Sequence, residues 1–292
     1  MTATKAGKRL TRATLKGFPL PPIVDGDKET KGRILIIAGC RQLAGAALLV
    51  ANAAMRSGAG KLRMATVEDV AANTALAMPE ALVLGLPEAR DGGFTRAAVR
   101  ELREQADHSD VVVAGPGMAE AATCTPLATA LLESGARIVL DAALLHSLTP
   151  VSAAQRGAGA LPILLPHSGE LASLLDCAEQ DIEDDPIGCG LRAAERYQAL
   201  VLVKGVTSHV VTPDGRSFTY TGGAPGLGVS GSGDVLAGIV GGLSARGADP
   251  LTALLWAVLL HGEAGEALAR KVGPVGFLAR EIPDEIPALL VC

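Results

Sequence analysis

"RILIIAGCRQLAGAALLVANAAMRSGAGKLRMAT" (33–66) decides the fold. An apolar run of strand length (33–39) leads into an Ala/Leu-rich segment of helical spacing (45–58), and a second short β-rich run follows (61–66). Strand, helix and strand in that order form the crossover that parallel strands require, because a tight hairpin joins only antiparallel ones.

The alternation continues outward. "ALVLGL" (81–86), "DVVVAG" (110–115), "RIVLDA" (137–142), "LPILLP" (161–166) and "LVLVKG" (200–205) read as further strands. Segments 95–107, 121–134, 168–176, 187–198, 233–246 and 250–270 read as helices. The strands are nearly all apolar, as strands covered on both faces should be. Beyond 205 the texture changes: "SHVVTPDGRSFTY" (208–220) places Pro-Asp-Gly between two short β-like runs, a hairpin signal. The expectation is one α/β domain over 30–292, a central mostly parallel sheet with helices on both faces and antiparallel strands at one end. The basic start, "MTATKAGKRLTRATLKGFPLPP", lacks the apolar stretch of a secretory signal; residues 1–29 are expected as a surface arm, with a transit peptide as the alternative.

Composition narrows the partners. A net charge of -5 and 2% aromatic residues leave little surface on which bases could stack, which argues against nucleic acid. The five cysteines form no C-x-x-C pair and no cluster with histidine, so neither a zinc site nor a disulfide framework is expected, and a reducing cytoplasm fits. The run "ALLWAVLL" (253–260) is too short to cross a bilayer.

In an open parallel sheet the ligand crevice lies at the carboxyl ends of the strands. The residues there are "GCRQLAGAA" (39–47), Gly115-Pro116-Gly117, Asp141, Pro166-His167 and Lys204-Gly205. To them the sequence adds "GVSGSGDVLAGIVGGL" (228–243), a glycine loop that turns directly into an apolar helix. The free N–H groups of Gly231, Ser232 and Gly233 at that helix start are expected to form an anion hole for phosphate. The helix dipole favours Asp234 ionised and able to accept a proton; the plain alternative is an acid stabilising its own first turn. Ala47 and Gly117 would let a bulky ligand approach the main chain, or are ordinary tight-turn residues. His167 would donate to a phosphate or ribose oxygen, or caps a helix. Lys204 would reach toward phosphate, or snorkels to water. Asp141 would act through a water or Mg²⁺, or caps a helix at 143–148. His261 reads as a hydrogen-bonded core residue.

"GVSGSGDVLAGIVGGLSARG" (228–247) resembles the G-T-G-D-x-x-x-G signature of the ribokinase-like superfamily, with Ser232 in place of threonine. With "LAGAALLVANAAMRSGAGKLRMAT" (43–66), "VVVAGPG" (111–117), "LLPHSGELASLL" (164–175), "LVLVKGVTSHVVTPDG" (200–215) and "LLHGEAGEALA" (259–269), the order and spacing resemble the ADP-dependent NAD(P)H-hydrate dehydratase family over about residues 30–290. The resemblance implies a hydro-lyase that repairs the S form of hydrated NADH or NADPH at the expense of bound ADP or ATP, with Mg²⁺. It implies that Ala47, Gly117, His167 and Asp234 contact the hydrated dinucleotide, that Asp234 is catalytic, and that Lys204, Gly205, Val206, Thr207, Ser208 and Gly233 hold the adenine nucleotide. It also implies a homo-oligomer, as in a tetramer, and a separate NAD(P)H-hydrate epimerase as companion. The chain departs from the family pattern at Ala143 (acid), Leu165 (threonine), Ala224 (asparagine) and Ser230 (glycine). A small-molecule kinase using the same acid, and a catalytically silent nucleotide-binding protein, are the competing readings.

Overall fold

The computed structural model describes residues 7–22, 31–146, 148–152 and 161–291. Ten strands form one sheet: β1 (Lys8–Arg9), β2 (Arg33–Ile37), β3 (Lys61–Val67), β4 (Ala81–Leu86), β5 (Val111–Ala114), β6 (Arg137–Leu140), β7 (Ile163–Leu164), β8 (Leu200–Val203), β9 (Ser208–Val211) and β10 (Ser217–Tyr220). Their spatial order is β1-β10-β9-β8-β7-β6-β5-β2-β3-β4. From β8 to β4 every pairing is parallel, whereas β8–β9 and β9–β10 are antiparallel, the arrangement expected around Pro213-Asp214-Gly215.

Strand side chains alternate between two apolar layers, as a period of two requires. Ile34 and Ile36, Val111 and Val113, and Leu200 and Leu202 enter one core; Leu35 and Ile37, Val112 and Ala114, and Val201 and Val203 enter the other. The helices are α1 (Arg12–Leu15), α2 (Ala44–Arg56), α3 (Glu68–Ala77), α4 (Arg96–Asp107), α5 (Cys124–Leu132), α6 (Ser168–Leu175), α7 (Glu179–Asp184), α8 (Pro186–Tyr197), α9 (Ser232–Ala245), α10 (Pro250–Lys271) and α11 (Ile282–Leu289). α2, α9 and α10 supply the first core, and α4, α5, α6 and α8 the second. By length and composition α10 is apolar enough to cross a membrane, but 78% of its apolar window is buried inside the protein, which makes it a core helix.

Three differences from the sequence reading have physical reasons. Residues 7–22 are not a surface arm: β1 pairs in parallel with β10, Leu10 and Leu15 are buried, and Trp256 Nε1 donates to the Phe18 carbonyl at 2.7 Å. Arg12 pairs with Glu263 at 2.5 Å, and the expected boundary at 29/30 lies outside the described residues. β7 shrinks to two residues because Pro162 and Pro166 flank it and can only accept, from Leu200 and Lys204. The connection after β3 is a helix, α3, although only Thr74 of it is buried and no apolar stripe marks it.

α9 is the element that positions the site, and it sits close to α2 because Gly238 and Gly242 face that helix. A Cβ at Gly238 would overlap the Val50 carbonyl oxygen and one at Gly242 the Ala54 carbonyl oxygen, both rigid backbone. Gly238→Ala is therefore expected to destabilise the fold by about 1–3 kcal/mol through overpacking. Gly135→Ala, with open space at its Cβ, is the matched control and should stay within roughly 1 kcal/mol of wild type. Denaturant unfolding of the two variants checks the difference.

Candidate active site

The glycine loop begins α9 without a side-chain cap. Gly231 holds φ 90°, a left-handed conformation that turns the chain into the helix, and its missing side chain leaves room for Leu49 of α2. One expectation changes here. The Ser232 N–H is taken by the Val229 carbonyl at 3.1 Å, so it does not belong to the anion hole. The Ser232 side chain turns inward as well, with Oγ 3.0 Å from His261 Nε2, and the same nitrogen lies 3.1 Å from the Ser232 carbonyl oxygen. Burial pushes His261 down to about 4, so the ring that anchors this first turn is neutral. His261 is thus the hydrogen-bonded core residue the sequence suggested.

The amides left open are those on either side of Ser232. Among the described residues, the N–H groups of Gly231, Gly233 and Asp234 have no protein acceptor. Uncapped amides at a helix start are donors for an anion. Beside them stands Lys204, at the end of β8: its Nζ lies 3.7 Å from where a Cβ on Gly233 would be.

Lys204 is fixed from both ends. Its backbone N–H donates to the Pro166 carbonyl at 2.9 Å, and it bridges His167 in parallel register, which aligns the ends of β7 and β8. Its ammonium is 2.7 Å from Asp141 Oδ1 and 3.8 Å from Glu170 Oε2. The side chains of Lys204 and Asp141 are 18% and 3% exposed. Burial works against the ammonium, yet Asp141 and Glu170 together hold Lys204 above the ordinary lysine value, so it stays charged. Burial likewise pushes Asp141 up, opposed by Lys204. Asp141 also accepts from the Ala142 N–H at 3.0 Å as the cap of a short 3-10 turn, the capping role weighed for it, though over 142–144 rather than 143–148.

His167 caps α6: Nδ1 accepts from the Gly169 and Glu170 amides at 3.1 and 3.3 Å, and Glu170 Oε2 accepts from the His167 N–H at 2.8 Å. With Nδ1 occupied as an acceptor, the neutral ring carries its proton on Nε2. The side chain is 57% exposed and faces the rim. Glu170 stands in the segment 164–175 that carries the family resemblance, and its reach toward Lys204 has no sequence signal.

The remaining expected residues fall around this cluster. Gly205, Val206 and Thr207 form the turn after Lys204, with Val206 wholly exposed, and Ser208 Oγ closes the turn on the Gly205 carbonyl at 3.3 Å. Gly117 lies against Ala46 and the Leu43 carbonyl at the start of α2. Ala47 is buried, with its Cβ near Gly39 of the same loop, so its side chain presents no surface at the rim. Ala143 and Leu165, two of the departures from the family pattern, are buried in the apolar cores rather than exposed at the mouth.

Asp234, in the first turn of α9, is pushed up to about 6 by burial and by the charge of Asp141, against the pull of Lys204. Its carboxyl makes no hydrogen bond among the described residues, whereas Asp141 and Glu170 both do. A half-buried carboxyl poised near neutrality beside open amides and a fixed ammonium can take a proton from a bound hydroxyl while an anion rests on the helix end.

Comparison with known proteins agrees with this geometry. A family profile described as NAD(P)H-hydrate dehydratase matches residues 34–288. An ADP-dependent (S)-NAD(P)H-hydrate dehydratase of Xanthomonas campestris is 45% identical over 284 residues, covering 97% of this chain and 96% of that protein. A bifunctional NAD(P)H-hydrate repair enzyme of Moorella thermoacetica is 34% identical over 266 residues, and the match spans 91% of this chain but 50% of that protein. An ADP/ATP-dependent NAD(P)H-hydrate dehydratase of Bacillus subtilis, co-crystallised with ATP and Mg²⁺, superposes with a TM-score of 0.83 at 26% identity over 98% of both chains.

The raised Asp234 value carries a stability consequence. Between the ordinary carboxylate value and about 6, the folded chain keeps a proton that the unfolded chain releases, so stability falls as pH rises through that window and stays lost above it. Asp234→Asn should therefore be more stable than wild type at pH 8, by on the order of 2 kcal/mol, and equal to it near pH 4. Thermal melts of both proteins across that range check the crossing.

Proposed function

Because the chain belongs to the NAD(P)H-hydrate dehydratase family, we propose that it removes water from the S form of hydrated NADH or NADPH, drawing on a bound adenine nucleotide. The observation that carries the reading is Asp234, an acid held near pH 6 without a hydrogen-bond partner, beside amides that have no acceptor among the described residues. In the reaction the ring C–O bond breaks, a proton leaves the adjacent carbon for water, and the double bond of the dihydronicotinamide re-forms; no hydride moves.

Hydroxide is a poor leaving group, and a bound nucleotide supplies a terminal phosphoryl that can carry the oxygen away as phosphate. The protein's own part is acid–base work and placement. Ionised Asp234 accepts the hydroxyl proton. The Gly233 and Asp234 amides, with the Lys204 ammonium, stabilise phosphate oxygens, and Gly233 fits that role because no Cβ fills the space between helix end and lysine. The turn 205–208 flanks the nucleotide, while His167 presents its Nε2–H to the dinucleotide. Among the described residues no group of three or more His, Cys, Asp or Glu forms a metal cage. Mg²⁺ arriving on phosphates needs only one or two carboxylates, and the excess of acid around Lys204 fits that mode. Specificity for the S form makes an epimerase the companion activity this chemistry requires. The kinase alternative is not favoured, since the relatives matched along nearly the whole chain are dehydratases.

Incubation with chemically hydrated NADH and ADP, with ATP in parallel, should restore dihydronicotinamide absorbance; no return with either nucleotide rejects the assignment. The wild-type kcat should fall below pH about 6 as Asp234 protonates. Asp234→Asn should lower kcat by ~10²–10⁴-fold with KM changed only a few-fold, and near-normal turnover would remove Asp234 from the mechanism.

A further inference from the structure

We propose that the β4 edge of the sheet, with α3 beside it, is the surface on which a second copy of this chain docks; the inference does not depend on the assigned activity. The two edges of the sheet differ. One ends in β1, whose two residues, Lys8 and Arg9, are both exposed, short and charged as protected edges are. The other ends in β4, six residues with no charge and no proline, whose outer backbone groups face no strand among the described residues. Leu82 on this strand is 55% exposed, and Leu76 of α3 is 83% exposed. Between Val70 and Pro87 the only charged residue is Glu80, although 20% of the whole chain is charged. An edge strand and a helix of that composition form a surface that association covers.

The occupant this edge selects is its own copy. Residues 81–85 read small, Leu, Val, Leu, small, the same in both directions, and Pro79 and Pro87 bound the strand at equal distances from Val83. A two-fold axis normal to the sheet lays β4 antiparallel to its copy with like faces aligned. Centred on Val83, that pairing sets Leu82 of one copy against Leu84 of the other on one face. On the opposite face Val83 meets Val83 and Ala81 meets Gly85, and no proline interrupts the ladder between them. Charge agrees with this direction. Glu80 and Arg90 are exposed, have no ion pair among the described residues, and lie beyond opposite ends of the strand. Antiparallel pairing brings unlike charges together at each end, whereas parallel pairing would oppose like ones. α3 packs over Gly85 through Ala71, so the axis places it beside its copy, and its exposed Ala72, Ala75 and Leu76 carry no charge to keep the helices apart. All of residues 70–90 except Thr74, Met78 and Leu86 reach the surface, close to the roughly 20 residues a side of a standard interface.

The test is sedimentation equilibrium of the purified full chain at micromolar concentration, where wild type is expected as an even number of copies. Leu82→Lys, which places like charges across the pair, should weaken association by about a hundredfold or more, and Leu76→Glu should do the same. Both side chains are exposed in the single chain, so each variant should keep the circular dichroism of wild type. Val83→Cys puts two thiols across the axis with Cβ atoms roughly 4.5–5.5 Å apart. Treated with the thiol oxidant diamide, that variant should link in pairs well beyond the wild-type level on gels run without reductant. Should Leu82→Lys fail to fold, Leu76→Glu carries the test. A wild type that sediments as a single chain overturns the inference, whatever other protein it binds. Assembly that survives both charge substitutions, or a Val83→Cys protein that links no more than wild type, overturns it as well.

Discussion

One ammonium among three carboxylates governs this site. Lys204 is in contact with Asp141 at 2.7 Å and within reach of Glu170 at 3.8 Å, and Asp234 feels its charge without bonding to it. A buried cation can hold one acid as a close pair and help a second, but a third is left with burial and like charge working against its ionisation. That leftover acid is Asp234, and its position at about 6 is what turns a first-turn carboxylate into a group able to exchange a proton near neutrality. Remove the imbalance and the same residue is an ordinary helix-start acid.

The scaffold explains why the imbalance persists. Asp141, Lys204 and His167 stand at the carboxyl ends of β6, β8 and β7, adjacent strands whose register is set by the sheet ladder, so their separation is not adjustable. Asp234 arrives from a different layer, on α9. That helix is held against α2 at Gly238 and Gly242, against the sheet at Gly241, and at its first turn by partly buried His261 bonded to Ser232. Rigid supports from two layers meet at one rim. The stability given up to hold an unpartnered carboxyl there is the usual trade between fold and function at a working site.

Much of this was legible in the sequence, and the unread parts share a cause. Apolar periodicity located the strands flanking the site and the long helices, because burial on both faces of a parallel strand leaves an unbroken apolar run, and the glycine loop at 228–234 announced a helix end open to an anion. Side-chain partnership was not legible. Nothing in the spacing of Asp141, Glu170 and Lys204 says that three elements bring them together, and the choice between Ser232 and Asp234 as amide donors depends on a turn closed by Val229. Ala47 shows the same limit from the other side: a residue assigned to contact by its motif position is buried. The start of the chain misled because the basic residues of β1 and α1 advertise solvent, while Leu10 and Leu15 between them reach the core.

The most direct probe of the leftover-acid account is the titration of the Asp234 carboxyl by ¹³C NMR, assigned by its loss in Asp234→Asn, in wild type and in Asp141→Asn. The account predicts a midpoint near 6 in wild type that moves toward the ordinary carboxylate range in Asp141→Asn, because a repelling charge is gone and Lys204 is freed to face Asp234. A wild-type midpoint already in the ordinary range, or one that does not move when Asp141 is neutralised, would contradict it.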